Sequence, residues 1–267
     1  MPPRSSPPSR PSLSDARVVE RLRAAGCVFA EEEAEMILAA AAGPAELDLM
    51  VERRASGLPL EHVVGWAEFA GLRIEVDGGV FVPRRRTEFL VGHAVELARP
   101  GAVCVDLCCG SGAAGAVLLD RVEGVEVHAS DIEPAAVRCA RRNVEPRGGR
   151  VYEGDLFAPL PPELRGRVGV LVANVPYVPS GEIELLPPEA RDHEPHVTLD
   201  GGADGLEVMR RVAAEAPEWL APGGHLLVET SERQAQTALA VMSGAGLAPR
   251  VVTSEEWWAT VVVATRP

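Results

Sequence analysis

The chain has 267 residues, of which 46% are apolar and 24% are charged, and its formal net charge is −13. This length and apolar content suffice for one domain with a sizeable core and a smaller second part. All 26 basic residues are arginines, so the acidic balance excludes a uniformly basic surface for nucleic acid and leaves only a local arginine patch open.

The 5 cysteines follow no metal-ligand spacing and no short disulfide framework. No apolar run approaches the roughly 18 residues of a membrane span, and the beginning of the chain lacks the apolar core of a signal peptide. His193 and His196 stand three residues apart near one Glu, a pattern more typical of a hydrogen-bonded loop than of a metal site. We therefore expect reduced thiols, no metal, no membrane and a cytoplasmic protein.

Residues 1–13 are rich in Pro, Ser and Arg, and we expect a disordered tail there. Ser14 is suited to cap a first helix, and two further amphipathic helices follow before residue 60. The pattern predicts a small helical domain over residues 14–66, which we interpret as a substrate-binding domain.

After this domain, short extended stretches indicate a β-hairpin linker over residues 67–84, with its turn at Asp77–Gly79. Over residues 85–267, strand-like stretches then alternate with helices, and the last two strands follow each other closely. This order predicts an α/β fold with a doubly wound, mainly parallel sheet that ends in an antiparallel edge.

The first core strand ends in "DLCCGSGAAG", residues 106–115. Glycines 110 and 112 predict a sharp turn that lets the backbone approach a ligand and present N–H groups to it. Asp131 ends the next strand, where an acidic side chain can bind ribose hydroxyls, and Asp155 in "GDLF" is a candidate acceptor for an adenine amino group. A structural turn with no ligand is the alternative.

The type of adenosine cofactor depends on the acidic residue that opens this loop. Cys108 stands where a dinucleotide fingerprint has its first glycine, which disfavours a nicotinamide cofactor but leaves it open. Asp106 favours S-adenosylmethionine instead, because the methionine ammonium of that cofactor needs a nearby carboxylate.

The fourth core strand stops abruptly at "VANVPYVPS", residues 172–180. Prolines cannot extend a sheet, so Asn174 lies at the tip of a buried strand. The carboxyl ends of parallel strands share one edge of the sheet, and we expect Asn174 beside the cofactor loop.

The sequence "NVPY" resembles the N-P-P-Y motif of methyltransferases that act on planar nitrogens, and the wider match is to the HemK/PrmC family. From about Arg53 to Gly246, segments resembling the family's follow in the family's order: "GLPLEHVVGWAEFAGLRIEV", "FVPRRRTEFLV", "DLCCGSGAAG", "ASDIEPAAVRCARRN", "GDLF", "NVPYVP", "PEARDHEPHVTLDGGADGL" and "LAPGGHLLVE".

The resemblance implies a Rossmann-like class I methyltransferase with a seven-stranded sheet. It would methylate the side-chain amide nitrogen of a glutamine in a protein, with S-adenosylmethionine as cofactor and a class 1 peptide chain release factor as candidate substrate. The implied catalytic residues are Asn174, Val175, Pro176 and Tyr177, in which the Asn174 side chain and the carbonyl of residue 175 accept the two amide N–H groups. The predicted cofactor-binding residues are Asp106, Cys108, Cys109, Gly110, Ser111, Gly112, Asp131, Ile132, Asp155, Leu156 and Asn174.

Three departures from the family pattern concern the substrate more than the reaction. Val175 replaces a proline, whereas Arg85 and Arg86 replace a proline and an acidic residue and add positive charge near the expected substrate entrance. Two other functions therefore remain open, a nucleic-acid amino methyltransferase and a cofactor-binding paralogue without turnover. The net charge of −13 argues against direct nucleic-acid binding and therefore against the nucleic-acid methyltransferase.

Overall fold

The computed structural model describes residues 13–267, and residues 1–12 of the predicted tail lie outside that range. Two compact units divide between Val64 and Gly65. Within the described residues, no helix is both long enough and apolar enough to cross a membrane.

The first unit contains four helices around a small apolar core. The helices are α1 (Leu13–Ala24), α2 (Ala30–Ala40), α3 (Pro44–Ala55) and α4 (Leu60–Val64). Ser14 lies inside the first turn of α1 rather than before it, a one-residue difference at a frayed helix end. Leu22, Ile37 and Val51 pack in the core. A buried ion pair between Arg54 and Glu33, with Nε and Oε2 2.6 Å apart, joins α3 to α2.

The second unit begins with a two-stranded hairpin, β1 (Trp66–Phe69) and β2 (Leu72–Glu75). Its turn is at Ala70 and Gly71, both with positive φ, as a tight two-residue hairpin requires. The predicted turn at Asp77–Gly79 was wrong, because that signal marks the bend after β2 and no second strand follows it before residue 85.

A seven-stranded sheet with helices on its faces forms the rest of this unit. Its strands are β3 (Val103–Leu107), β4 (Glu126–Asp131), β5 (Arg150–Glu153), β6 (Val168–Ala173), β7 (Leu220–Thr230), β8 (Ala248–Ser254) and β9 (Ala259–Thr265). Its helices are α5 (Thr87–Leu97), α6 (Ala113–Arg121), α7 (Pro134–Val144), α8 (Pro188–His193), α9 (Glu207–Trp219) and α10 (Ala235–Gly244). The valine-rich central strands are buried on both faces, as parallel strands between two helix layers must be.

The strand order is β5-β4-β3-β6-β7-β9-β8, and β9 alone runs in the direction opposite to the other six strands. The predicted doubly wound α/β fold with a mainly parallel sheet is confirmed. The predicted antiparallel edge is confirmed as well, because the last two strands, β8 and β9, pair antiparallel at one edge of the sheet. The order reverses between β3 and β6, and ligands of doubly wound sheets bind at such a reversal.

Candidate functional site

Strand register brings the predicted site residues to one edge of the sheet. Leu107 of β3 pairs with Ser130 of β4 on one side and with Ala173 of β6 on the other. Cys108 and Asn174 therefore leave the sheet at the height of Asp131, the last residue of β4, and beside the reversal of strand order.

A cavity of about 400 Å³ opens at this edge. It is lined by all but one of the residues that the sequence predicted for the site: Asp106, Cys108, Cys109, Gly110, Ser111, Asp131, Ile132, Asp155, Leu156, Asn174, Val175, Pro176 and Tyr177. Gly112 does not line it. A Cβ at Gly112 would lie 2.7 Å from Val144 Cγ2, so this glycine allows α6 to pack closely on α7.

The glycine turn donates its amides to the protein itself. Gly110 N donates to Asp131 Oδ2 at 2.8 Å, and Gly112 N donates to the Cys109 carbonyl at 2.7 Å. These two amides are therefore bonded within the protein, and the turn fixes the carboxylate of Asp131. Cys108 has a φ of 54°, a left-handed conformation that glycine adopts more easily.

Three carboxylates line the end of the cavity beside the glycine turn, the cofactor end predicted from the sequence, and each has a donor from the protein. Asp106 accepts from Gly115 N at 3.0 Å, and burial raises its pKa to about 7. Asp131 also accepts from Glu133 N at 2.9 Å, and burial raises its pKa. Asp155 accepts from Arg211 Nη2 at 2.6 Å, a partner that sequence reasoning missed.

At the other end of the cavity, two polar acceptors have no partner. The side-chain amide of Asn174 and the carbonyl of Val175 make no hydrogen bond with any residue in the described range 13–267. Asn174 is half-buried and lines the cavity. The Val175 side chain is 2% exposed and packs in the main core, so the valine that replaces the family's proline anchors this segment.

Tyr177 contributes its ring to the same end, and sequence reasoning missed what holds it. Its hydroxyl donates to Glu229 Oε1 at 2.9 Å and accepts from Arg86 Nη2 at 2.5 Å. Arg86 Nε also donates to Glu229 Oε1 at 2.9 Å. The sequence position of Arg86 predicted a positive charge at the substrate entrance. In the structure, the buried carboxylate of Glu229 compensates that charge.

A further wall of the cavity comes from the chain between β6 and α9. Leu186, Pro187, Val197 and Leu199 from this segment line the cavity. Glu194 of the same segment is buried and accepts from Val82 N at 3.1 Å and from Arg84 Nη2, which is 2.6 Å from each carboxylate oxygen. These contacts attach the segment to the chain preceding α5. No three His, Cys, Asp or Glu side chains in the described part are grouped like metal ligands.

Four features together define a class I methyltransferase. They are the order of the strands in the sheet, the glycine turn after β3, the aspartate at the end of β4 and the Asn-x-Pro-Tyr segment after β6. The family model of the methyltransferase small domain matches residues 72–185. The solved structure of a methyltransferase from Pyrococcus furiosus shares this fold, with a TM-score of 0.56 and 18% identity over 74% of this chain and 90% of that one.

The curated relatives identify the family more narrowly. A release factor glutamine methyltransferase from Geobacter sulfurreducens is 40% identical over 199 residues, which are 74% of this chain and 69% of the relative. A 4-amino-L-phenylalanine/4-methylamino-L-phenylalanine methyltransferase from Streptomyces pristinaespiralis is 36% identical over 86% of this chain and 81% of its own length. The chain belongs to the release factor glutamine methyltransferase family, and the predicted HemK/PrmC membership is confirmed.

Proposed function

We propose that this protein transfers a methyl group from S-adenosylmethionine to the side-chain amide nitrogen of a glutamine in a protein, with a class 1 peptide chain release factor as substrate. The observation that carries the proposal is the pair of unpartnered acceptors, Asn174 and the Val175 carbonyl, at the sheet edge that also holds the cofactor residues. Membership in the release factor glutamine methyltransferase family supports the same substrate.

The cofactor end suits an adenosine that carries an amino acid. Asp131 is fixed by two backbone amides and retains lone pairs for ribose hydroxyls. Asp106 places a second carboxyl beside the glycine turn, where it neutralises the ammonium of the methionine portion. When bound, S-adenosylmethionine supplies an electrophilic methyl on a sulfonium, and the protein must bring the nitrogen to it.

An amide nitrogen is a poor nucleophile because its lone pair is delocalised into the carbonyl. Two acceptors, one for each N–H, hold the NH2 plane so that its lone-pair face is directed at the methyl group. The new nitrogen–carbon bond forms as the sulfur–carbon bond breaks, and one N–H proton then leaves to solvent. Burial, aided by Glu229, raises the pKa of Tyr177, so its phenol stays protonated and does not act as the base.

A small aromatic amine is a second candidate substrate. The relative from Streptomyces pristinaespiralis, named for 4-amino-L-phenylalanine, matches a larger share of its own length than the relative from Geobacter sulfurreducens does. An aniline NH2 is also planar and conjugated, so the same two acceptors suit it. The difference between the substrates is size, because a glutamine reaches the cavity as one side chain of a folded protein.

The test supplies methyl-labelled S-adenosylmethionine with four acceptors in parallel: a purified class 1 release factor, 4-amino-L-phenylalanine, total RNA and duplex DNA. We expect label on one glutamine of the release factor, located by peptide mass spectrometry and lost when that glutamine is replaced by Glu. Label on the free amino acid alone supports the second candidate, and label on nucleic acid contradicts both. Cofactor binding by calorimetry without any methylation identifies a paralogue without turnover.

A further inference from the structure

The phenol of Tyr177 has both of its hydrogen-bonding functions occupied within the protein. It donates its proton to Glu229 and accepts from Arg86, at 2.9 and 2.5 Å. Glu229 is 2% exposed and projects from the end of β7, whereas Arg86 precedes α5 and its side chain is 46% exposed. The hydroxyl is thus bonded within the protein, and Tyr177 lines the cavity, which leaves its ring as the part that can face a substrate.

The main chain at this residue is fixed as well. Gln234 Nε2 donates to the Tyr177 carbonyl at 2.9 Å and to the Asp204 carbonyl at 2.9 Å. The backbone therefore determines where the ring begins, and the two bonds to its hydroxyl determine where it ends. A ring held at both ends keeps its long axis in one direction, because rotation about the Cα–Cβ bond would break the two charge-assisted hydrogen bonds to its hydroxyl.

We propose that Arg86 and Glu229 are positioning residues that hold the Tyr177 ring in the plane against which the acceptor NH2 group lies. The inference rests on the proposed function, since the ring must align an amide or aromatic amine held by Asn174. Arg86 matters for its fork geometry, in which Nε bonds the carboxylate and Nη2 bonds the phenol of the same pair.

Replacing Arg86 tests the kinetic part of this inference. We expect Arg86→Met to lower kcat about tenfold, because a reacting group displaced by a fraction of an ångström loses its alignment. The KM for the acceptor and the Kd for S-adenosylmethionine should each change less than threefold. Arg86→Lys retains one charge but not the fork, so it should restore kcat only in part.

Arg85→Met is the matched control. Arg85 precedes Arg86, contacts the Trp257 ring at 6.0 Å and does not line the cavity, so its loss should leave kcat unchanged. In the Arg86→Met variant Glu229 is buried without its cation. A double variant that adds Glu229→Gln removes that charge and should fold while still showing the loss in kcat.

A double-mutant cycle decides whether Arg86 acts through the hydroxyl. Tyr177→Phe alone should lower kcat to about the same extent as Arg86→Met, and the two together should cost no more than either one. Additive losses would overturn the inference, because Arg86 would then act by another route.

Ring motion supplies a readout that does not depend on activity. The chain has 2 tyrosines, so selective isotope labelling gives two sets of ring resonances, which Tyr152→Phe assigns. We expect one χ1 rotamer for Tyr177 in the wild type and averaging between rotamers in Arg86→Met, measured from side-chain couplings and from contacts of the ring protons. A Tyr177 side chain that keeps the same single rotamer in both proteins refutes the inference, as does a freed ring without loss of kcat. If the wild type methylates no acceptor, the proposed function fails, while the ring resonances still report whether the pair holds Tyr177.

Discussion

The two ends of the cavity differ in how their polar groups are satisfied. At the cofactor end, Asp106, Asp131 and Asp155 each accept a hydrogen bond from the protein. At the acceptor end, the Asn174 amide and the Val175 carbonyl accept none within residues 13–267, although the neighbouring Tyr177 is fully bonded. One end is organised before its ligand binds, and the other retains acceptors for a ligand to fill.

This difference indicates which end of the cavity favours affinity and which end favours discrimination between substrates. A carboxylate already held by backbone amides binds its ligand with little rearrangement, which favours affinity. Acceptors without partners penalise any ligand that lacks donors in the same places, which favours discrimination. An oxygen nucleophile brings at most one O–H to two acceptors, whereas a primary amide or aromatic amine brings two N–H groups. Under the proposed function, we therefore expect the acceptor end to select planar NH2 groups.

The largest expected effects separate the two ends: a variant at the acceptor end should lose kcat, and a variant at the cofactor end should lose affinity for S-adenosylmethionine. Asn174→Ala should lower kcat by about 10³-fold, because it removes an acceptor that orients the amide in the transition state. Its Kd for S-adenosylmethionine should stay within a few fold. Asp131→Ala should instead raise that Kd roughly 10–100-fold, since it removes hydrogen bonds to a charged group.

Calorimetry with S-adenosylmethionine and single-turnover methylation, measured on both variants, test this split. Asn174→Asp is a useful third variant because it keeps the oxygen acceptor but adds charge. Equal loss of cofactor binding in both alanine variants would mean that Asn174 is structural. An unchanged Kd in Asp131→Ala would remove the ribose assignment.

A smaller effect concerns pH and the cofactor end alone. Burial holds the Asp106 carboxyl at a pKa of about 7, whereas its ordinary value is 3.8. If Asp106 binds the cofactor ammonium as proposed, only its ionised form attracts that group, so the affinity for S-adenosylmethionine should fall as the pH drops through about 7. Between pH 8 and pH 6 the Kd should rise about tenfold, with proton release detected by titration in buffers of different ionisation enthalpy.

Asp106→Asn is the control, and its Kd for S-adenosylmethionine should be higher than that of the wild type but independent of pH between pH 6 and pH 8. In the ligand-free protein, the contribution of Asp106 to the free energy of unfolding depends on pH in the direction opposite to that of a carboxylate in an ion pair. Asp106 favours the folded state below its ordinary pKa of 3.8, and this contribution is lost as the pH rises towards about 7. A flat pH profile in the wild type would mean that this carboxyl does not meet the ammonium.

Much of the fold and the cofactor end could be predicted from sequence because the signals are local. Apolar strands alternate with helices, and each strand that contributes to the site ends in a recognisable residue, such as Asp131 or Asn174. The meeting of these residues at one edge then follows from parallel pairing, since Leu107 lies level with Ser130 and Ala173.

The contacts that stabilise the acceptor end could not be predicted in this way. Arg86 and Glu229 are 143 residues apart, and Arg84 and Glu194 are 110 apart, with no periodic pattern linking either pair. The hairpin turn was misplaced for a local reason, because an Asp-Gly signal at residues 77–78 competed with a turn that contains Ala70 in an unusual conformation. Ion pairs between residues distant in sequence and residues with positive φ depend on the tertiary structure, so local sequence patterns do not predict them.

Strain at Cys108 gives the smallest expected effect and tests whether the cofactor end is fixed by its backbone. With φ at 54°, this residue has a conformation that penalises any Cβ. Cys108→Gly should therefore be more stable than Cys108→Ala by about 1 kcal/mol, as measured by urea unfolding. The matched pair at Cys104, within β3, should show the opposite order, because glycine weakens a strand interior. Both variants at 108 should bind S-adenosylmethionine within twofold of each other, since the Gly110 and Asp131 contact that shapes the turn remains in each. If Cys108→Ala proved the more stable of the two, residue 108 would carry no strain, and the turn would be held by its hydrogen bonds alone.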